Sequence, residues 1–91
     1  MGSDTANLFC GNLSWEIDDA DLRKLFEVYG VVINAHVIID RESGHSRGYG
    51  FVEMQNIADG ERATMALNGS VVMGRPLRID KASRSAHSPR N

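Results

Sequence analysis

Between Arg47 and Met54 the alternation of side chains runs against ordinary burial. Successive side chains of a strand point to opposite faces, so Arg47, Tyr49, Phe51 and Glu53 share one side. Gly48, Gly50, Val52 and Met54 share the other. A core is the commoner destination for Tyr and Phe. Turning these rings inward, however, would send Val52 and Met54 to solvent and line the exposed face with glycines. The rings are therefore expected outside and the small and aliphatic residues inside. Leu8-Phe9-Cys10 repeats the arrangement near the start of the chain, with Phe9 opposed to an apolar pair.

The remaining pattern supplies the other elements. Leu22, Leu25, Phe26 and Tyr29 recur at helical spacing and mark one buried stripe. Asp18 stands as N-cap with Asp21 at N3, while Ile17 and Leu22 occupy the N′ and N4 positions of a hydrophobic staple. Gly30 is expected to end this helix. Residues 7–11 and the Val- and Ile-rich residues 32–39 predict strands, and Asp40 to Ser46, containing Gly44, a hairpin loop. Asn56, with Asp59 at N3, is expected to cap a second helix that stops at Asn68-Gly69. Gly60, Ala63, Thr64 and Leu67 form its inner face, and Met65 falls outside that stripe. Val71 to Met73 suggest a short extra strand before a turn at Gly74-Arg75-Pro76. Leu77 to Ala82 predict the last strand, with Leu77 and Ile79 inward and Arg78, Asp80 and Ala82 on the open side. Residues 83–91 carry Ser, Arg and Pro without apolar pattern and are expected to be disordered when free.

The order β-α-β-β-α-β implies an α+β domain over residues 6–82, a four-stranded antiparallel sheet with both helices on one face. The open face would hold Phe9, Tyr49, Phe51, Arg47, His36, Ile38, Arg78 and Asp80. The 91 residues suffice for one small core. No apolar run is long enough to span a bilayer, and Ala6 occupies the position where a myristoylation motif opening at Met1-Gly2 needs Ser or Thr. Cys10 is the only cysteine, which excludes an internal disulfide and any cysteine-clustered metal site. The three histidines are scattered without ligand spacing, so neither a metal nor any other cofactor is expected. The net charge of −2 is unevenly distributed. Acid gathers around the first helix, in Glu16, Asp18, Asp19, Asp21 and Glu27, and base near the C-terminal end, in Arg75, Arg78, Lys81, Arg84 and Arg90. Such a balance disfavours a generic polyanion binder and leaves a stacking-based one open.

Residues Arg47 to Met54 match the RNP1 pattern at every position but the last, and Leu8 to Leu13 match RNP2. Together the two segments resemble the RNA recognition motif, a ferredoxin-like sheet whose aromatics stack bases. The resemblance implies single-stranded RNA as ligand, with Phe9 and Phe51 under neighbouring bases, Tyr49 against the sugars and Arg47 at a phosphate. His36, Arg78, Asp80 and the backbone after the last strand would read base edges, with Ser83 and Arg84 folding over the strand. It extends to small bacterial and cyanobacterial proteins, to plant glycine-rich and organellar types, and equally to a motif within a longer processing factor. An intracellular monomer is implied: cytoplasmic if bacterial, nuclear or organellar if eukaryotic. Met54 departs from the pattern at a core-facing position and bears on packing. Glu53 and Asp80 bring negative charge to the face. Trp15 is expected to anchor its loop, with a contact to a further nucleotide as the second role. Ile38 has two candidate roles, ring spacer or nucleotide contact.

Three rivals remain at this level. A protein-binding version of the motif would act as an adaptor, gripping its partner through the ring-rich face or the acidic first helix. Single-stranded DNA fits the same rings, because stacking does not distinguish sugars. An enzyme on the same fold would need a nucleophile–base pair or clustered carboxylates, and none is visible.

Overall fold

Asp18 opens the first helix as expected. In the computed structural model, which describes residues 5–82, α1 spans Asp19–Glu27. The Asp21 amide donates to Asp18 Oδ1 at 2.9 Å, and the Asp18 amide returns a bond to Asp21 Oδ2 at 3.3 Å. This reciprocal cap satisfies donors that a helix start leaves without partners. Ile17 and Leu22 are both buried, as a staple requires.

The end of α1 differs from expectation. Gly30 does not take the left-handed conformation of a helix-terminating glycine. Its lack of a side chain answers a packing demand, since a Cβ there would collide with the Asp59 carboxylate. Asp59 belongs to the second helix, α2, Ile57–Leu67, and is paired to Arg62 at 3.0 Å. Arg62 in turn donates to the Tyr29 carbonyl at 2.6 Å, satisfying backbone beyond the end of α1. The cap of α2 also differs: Asn56 precedes the helix, but its amide donates to Asp59 Oδ2 at 3.3 Å and caps no backbone N–H. Asn68-Gly69 ends α2 as expected, with Gly69 at φ +89°.

The strands are β1 (Ala6–Gly11), β2 (Val32–Ile39), β3 (Ser46–Met54), β4 (Val71–Val72), β5 (Arg75–Pro76) and β6 (Arg78–Lys81). The main sheet is antiparallel in the order β2-β3-β1-β6, which puts the two motif-bearing strands in the centre. β4 and β5 form a separate small hairpin. Its turn is Met73-Gly74, both at positive φ (52° and 82°), and Arg75-Pro76 pairs as a strand. Two consecutive left-handed residues match the twist of a tight hairpin, which moves the expected turn back by one position.

One face of the sheet carries the core. Leu8, Cys10, Val37, Val52, Met54 and Ile79 pack against Leu22 and Phe26 of α1 and Ala63 and Leu67 of α2, all buried. Small residues set the depth of packing. A Cβ on Gly60 would run into the Ala6 methyl, so α2 crosses close to β1. A Cβ on Gly50 would lie 2.5 Å from the His36 carbonyl oxygen, so the inward glycine lets β2 close on β3. Among the described residues no polar or charged side chain is buried, and no helix is long and apolar enough to cross a membrane.

Candidate nucleic-acid interface

The register of the sheet aligns the open-face side chains in rows. Phe9 stands opposite Phe51 on one side and Asp80 on the other, and His36 stands opposite Phe51. His36, Phe51, Phe9 and Asp80 therefore form one line across all four strands. In a parallel row Gly11 lies between Tyr49 and Arg78.

The three rings meet in a triangle. Phe9 lies 5.7 Å from Phe51 at 64° and 5.8 Å from Tyr49 at 33°, while Tyr49 and Phe51 are 6.2 Å apart at 89°. These are favourable aromatic separations, so the rings steady one another without core contacts. Phe51 is still 42% exposed. Gly11, which sequence reasoning did not single out, belongs to this arrangement. A Cβ there would sit 2.9 Å from Phe9 Cε2, so the Phe9 ring lies over bare backbone. The available signal was a glycine two positions after an outward aromatic, on the same face of the strand.

The charged residues depart further from simple alternation. β3 carries a bulge: the register jumps between Val37↔Gly50 and Ile39↔Ser46, and Gly48 adopts φ +84°. Arg47 precedes the bulge, at the hairpin end of the strand, with its Nη1 3.8 Å from Asp40 Oδ2. Asp80 forms its own local pair, 3.9 Å from Arg78 Nε, and β1 separates its strand from that of Arg47. Exposed pairs of this kind are screened by solvent and hold their partners only weakly. Asp40 Oδ1 also accepts from the amides of Glu42 (2.8 Å) and Ser43 (3.3 Å). Those bonds first, and Arg47 as a weaker cause, hold its carboxyl below the usual carboxylate range.

His36 reaches the face by register, but its ring turns over the edge of β2, where Nδ1 is 3.4 Å from Asp19 Oδ2. Asp19 Oδ1 accepts the Val37 amide at 2.7 Å, so this acid of α1 holds the edge strand. Asp18 and Asp21 cap the helix, and Glu27 lies 3.7 Å from Arg23. Glu53 is similarly engaged, accepting from Thr5 Oγ1 at 2.8 Å and Asn34 Nδ2 at 3.1 Å. Trp15 is no buried anchor: it is 75% exposed. Ser83, Arg84 and the rest of the tail lie outside the described residues. Among the described residues no three His, Cys, Asp or Glu side chains gather closely enough to hold a metal ion.

Comparison with known proteins agrees with this geometry. The family model of the RNA recognition motif matches residues 8–78. The 28 kDa chloroplastic ribonucleoprotein of Nicotiana sylvestris is 44% identical over 86% of this chain and 28% of its own length. The mitochondrial glycine-rich RNA-binding protein 2 of Arabidopsis thaliana is 41% identical over 94% of this chain and 54% of its own length. The chain thus spans between a quarter and just over half of such curated relatives. The crystal structure of RNA binding protein PG1 superposes with a TM-score of 0.82 at 43% identity, covering 85% of this chain and 93% of that one. A sheet with its rings outward, both motif strands at its centre, and a match along most of its length lead to one assignment: the chain belongs to the RNA recognition motif family, whose members are RNA-binding and non-catalytic.

Proposed function

We propose that residues 6–82 act as one monomeric unit that binds single-stranded RNA by stacking on the open sheet face. The carrying observation is the triangle of Phe9, Tyr49 and Phe51, steadied ring against ring yet open to solvent. Phe9 and Phe51 take neighbouring bases, Tyr49 lies against the intervening sugar, and Arg47 exchanges Asp40 for a phosphate. Stacking contributes about 1–3 kcal/mol per base and accepts any base. Sequence preference, moderate at most, comes from Arg78 and Asp80 beside the rings, from His36 at the sheet edge, and from Ser83 and Arg84 in the segment that follows. Single-stranded DNA binds more weakly wherever a 2′-hydroxyl is contacted. The chloroplastic and mitochondrial names of the relatives favour an organelle over a bacterial cytoplasm.

The adaptor alternative loses ground because the acids of α1 are engaged within the chain. Affinity for a short RNA across a salt series separates the two. Roughly 2–4 neutralised phosphates give a log–log slope of about −1.4 to −2.8 for a single strand. No RNA binding, or a slope near zero, would contradict the RNA function.

A further inference from the structure

Asn68 and Gly69 stand where α2 gives way to the small hairpin, and they form the only Asn-Gly pair in the sequence. Both are exposed, and a Cβ on Gly69 would meet nothing within 4 Å. Such a pair carries its own chemistry. Once deprotonated, the Gly69 amide nitrogen can attack Asn68 Cγ, because glycine offers no side chain to obstruct it. The N–Cγ bond forms, the Cγ–Nδ2 bond breaks, and ammonia leaves with the proton that the amide gave up. Water then opens either C–N bond of the resulting succinimide, to give aspartate or isoaspartate.

The fold holds each participant away from that path. The Asn68 backbone is extended, with ψ 120°, so the Gly69 nitrogen does not eclipse Cβ as ring closure requires. The Gly69 amide donates to the Leu77 carbonyl at 2.7 Å, which keeps its proton in place. Asn68 Oδ1 accepts the Ile79 amide at 2.9 Å and so reaches across to β6. The Asn68 amide is committed to the Thr64 carbonyl at 2.9 Å. Two of these bonds join the end of α2 to residues 77–79, so reaction requires the two to part. We propose that Asn68-Gly69 is a deamidation site that only an opened chain can use, and that its isoaspartate product prevents reclosure. Isoaspartate routes the main chain through Cβ and Cγ, which adds a methylene after α2 and leaves a shorter acid in place of the amide arm. The Ile79 amide then loses its acceptor, and an unmatched donor costs stability. Arg78 and Asp80 flank Ile79, so a loosened β6 carries both of these charges with it. Aspartate leaves the main chain intact, and its carboxylate still accepts from Ile79. The site stands whether or not the sheet binds RNA.

The test incubates the native protein, the same protein in urea and a synthetic peptide of residues 65–71, all at one mildly alkaline pH. Digestion and mass spectrometry follow the conversion of residue 68 with time. The unfolded chain and the peptide should convert at similar rates. The native protein should convert about tenfold more slowly or less, the factor set by how rarely the α2 end opens. The isoaspartate protein is then separated from the urea reaction, refolded and compared with the parent and with Asn68→Asp. It should unfold at a lower temperature than either, or fail to refold where Asn68→Asp folds, and any folded fraction should show displaced Ile79 and Asp80 amide signals. Native protein that converts as fast as the unfolded chain would overturn the lock. An unfolded chain that keeps its asparagine would overturn the site. An isoaspartate protein as stable as Asn68→Asp would overturn the block on reclosure.

Discussion

The ring of Phe9 lies over Gly11, two residues along the same strand face, close enough that a Cβ at position 11 would fall 3.1 Å from Cζ. Gly11→Ala should therefore displace the ring while leaving the fold in place, since the crowded atoms are the far end of a half-buried side chain on the open face. RNA affinity should fall by roughly tenfold, about the lower end of one stacked base. Thermal unfolding should move little. Unchanged affinity by anisotropy would show that the position of the Phe9 ring is immaterial.

Arg47 and Asp40 form an exposed pair that a phosphate can replace. Arg47→Ala should weaken all RNA sequences alike and shallow the salt slope by about 0.7, one single-strand phosphate contact. Asp40→Asn keeps an oxygen for the loop amides and removes the competing charge, so it should tighten binding a few-fold. Arg78→Ala should instead change which sequences are preferred. A change of preference in Arg47→Ala with no change of slope would remove its phosphate role.

Asp40 also sets the pH range of its loop. Its carboxyl is held below the ordinary carboxylate value, chiefly by the Glu42 and Ser43 amides. Because the folded value is lower than the unfolded one, the stabilisation is present above the unfolded value and disappears as pH falls through the folded one. Amide shifts of Glu42 and Ser43 should thus stay constant from neutral pH to mild acid and move only in stronger acid. Movement near neutral pH would contradict the assignment.

Cys10 shows the opposite sign. Burial pushes its thiol up to about 12 from an ordinary 9.0. The stability it contributes is complete below the unfolded value and is lost as pH rises through the folded one. A thiol reagent at mildly alkaline pH should label the unfolded chain and leave the native one untouched. Rapid native labelling would mean that the core opens easily.

Much of this architecture was legible because local rules and the global fold agree. The alternation of Leu8, Phe9 and Cys10 assigned faces to β1, and Asp18 with Asp21 marked the start of α1, without any knowledge of neighbours. The failures share a cause, dependence on residues distant in sequence. Gly30 resembled a helix stop, but it is Asp59, from the other helix, that requires its missing side chain. Arg47 was placed by strict alternation, which the bulge at Gly48 interrupts. His36 kept its register, while Asp19 at the strand edge drew its ring away. Trp15 looked like an anchor because tryptophans are usually well buried, yet Leu13 and Ile17 do the anchoring.

The three phenylalanines give the most direct test of the central claim, since one is in the core and two are on the open face. Phe26→Ala empties a fully buried site and should cost about 3–5 kcal/mol of stability. Phe9→Ala and Phe51→Ala lose a ring–ring contact of about 0.5–1.5 kcal/mol, so their unfolding temperatures should fall far less. Each should nevertheless lose about 1–3 kcal/mol of RNA binding. Thermal unfolding and RNA anisotropy on the same three variants measure both quantities. The account predicts that Phe26 controls stability while Phe9 and Phe51 control binding. If Phe9→Ala and Phe51→Ala unfolded like Phe26→Ala, or bound RNA as tightly as the parent, the stacking face would be contradicted.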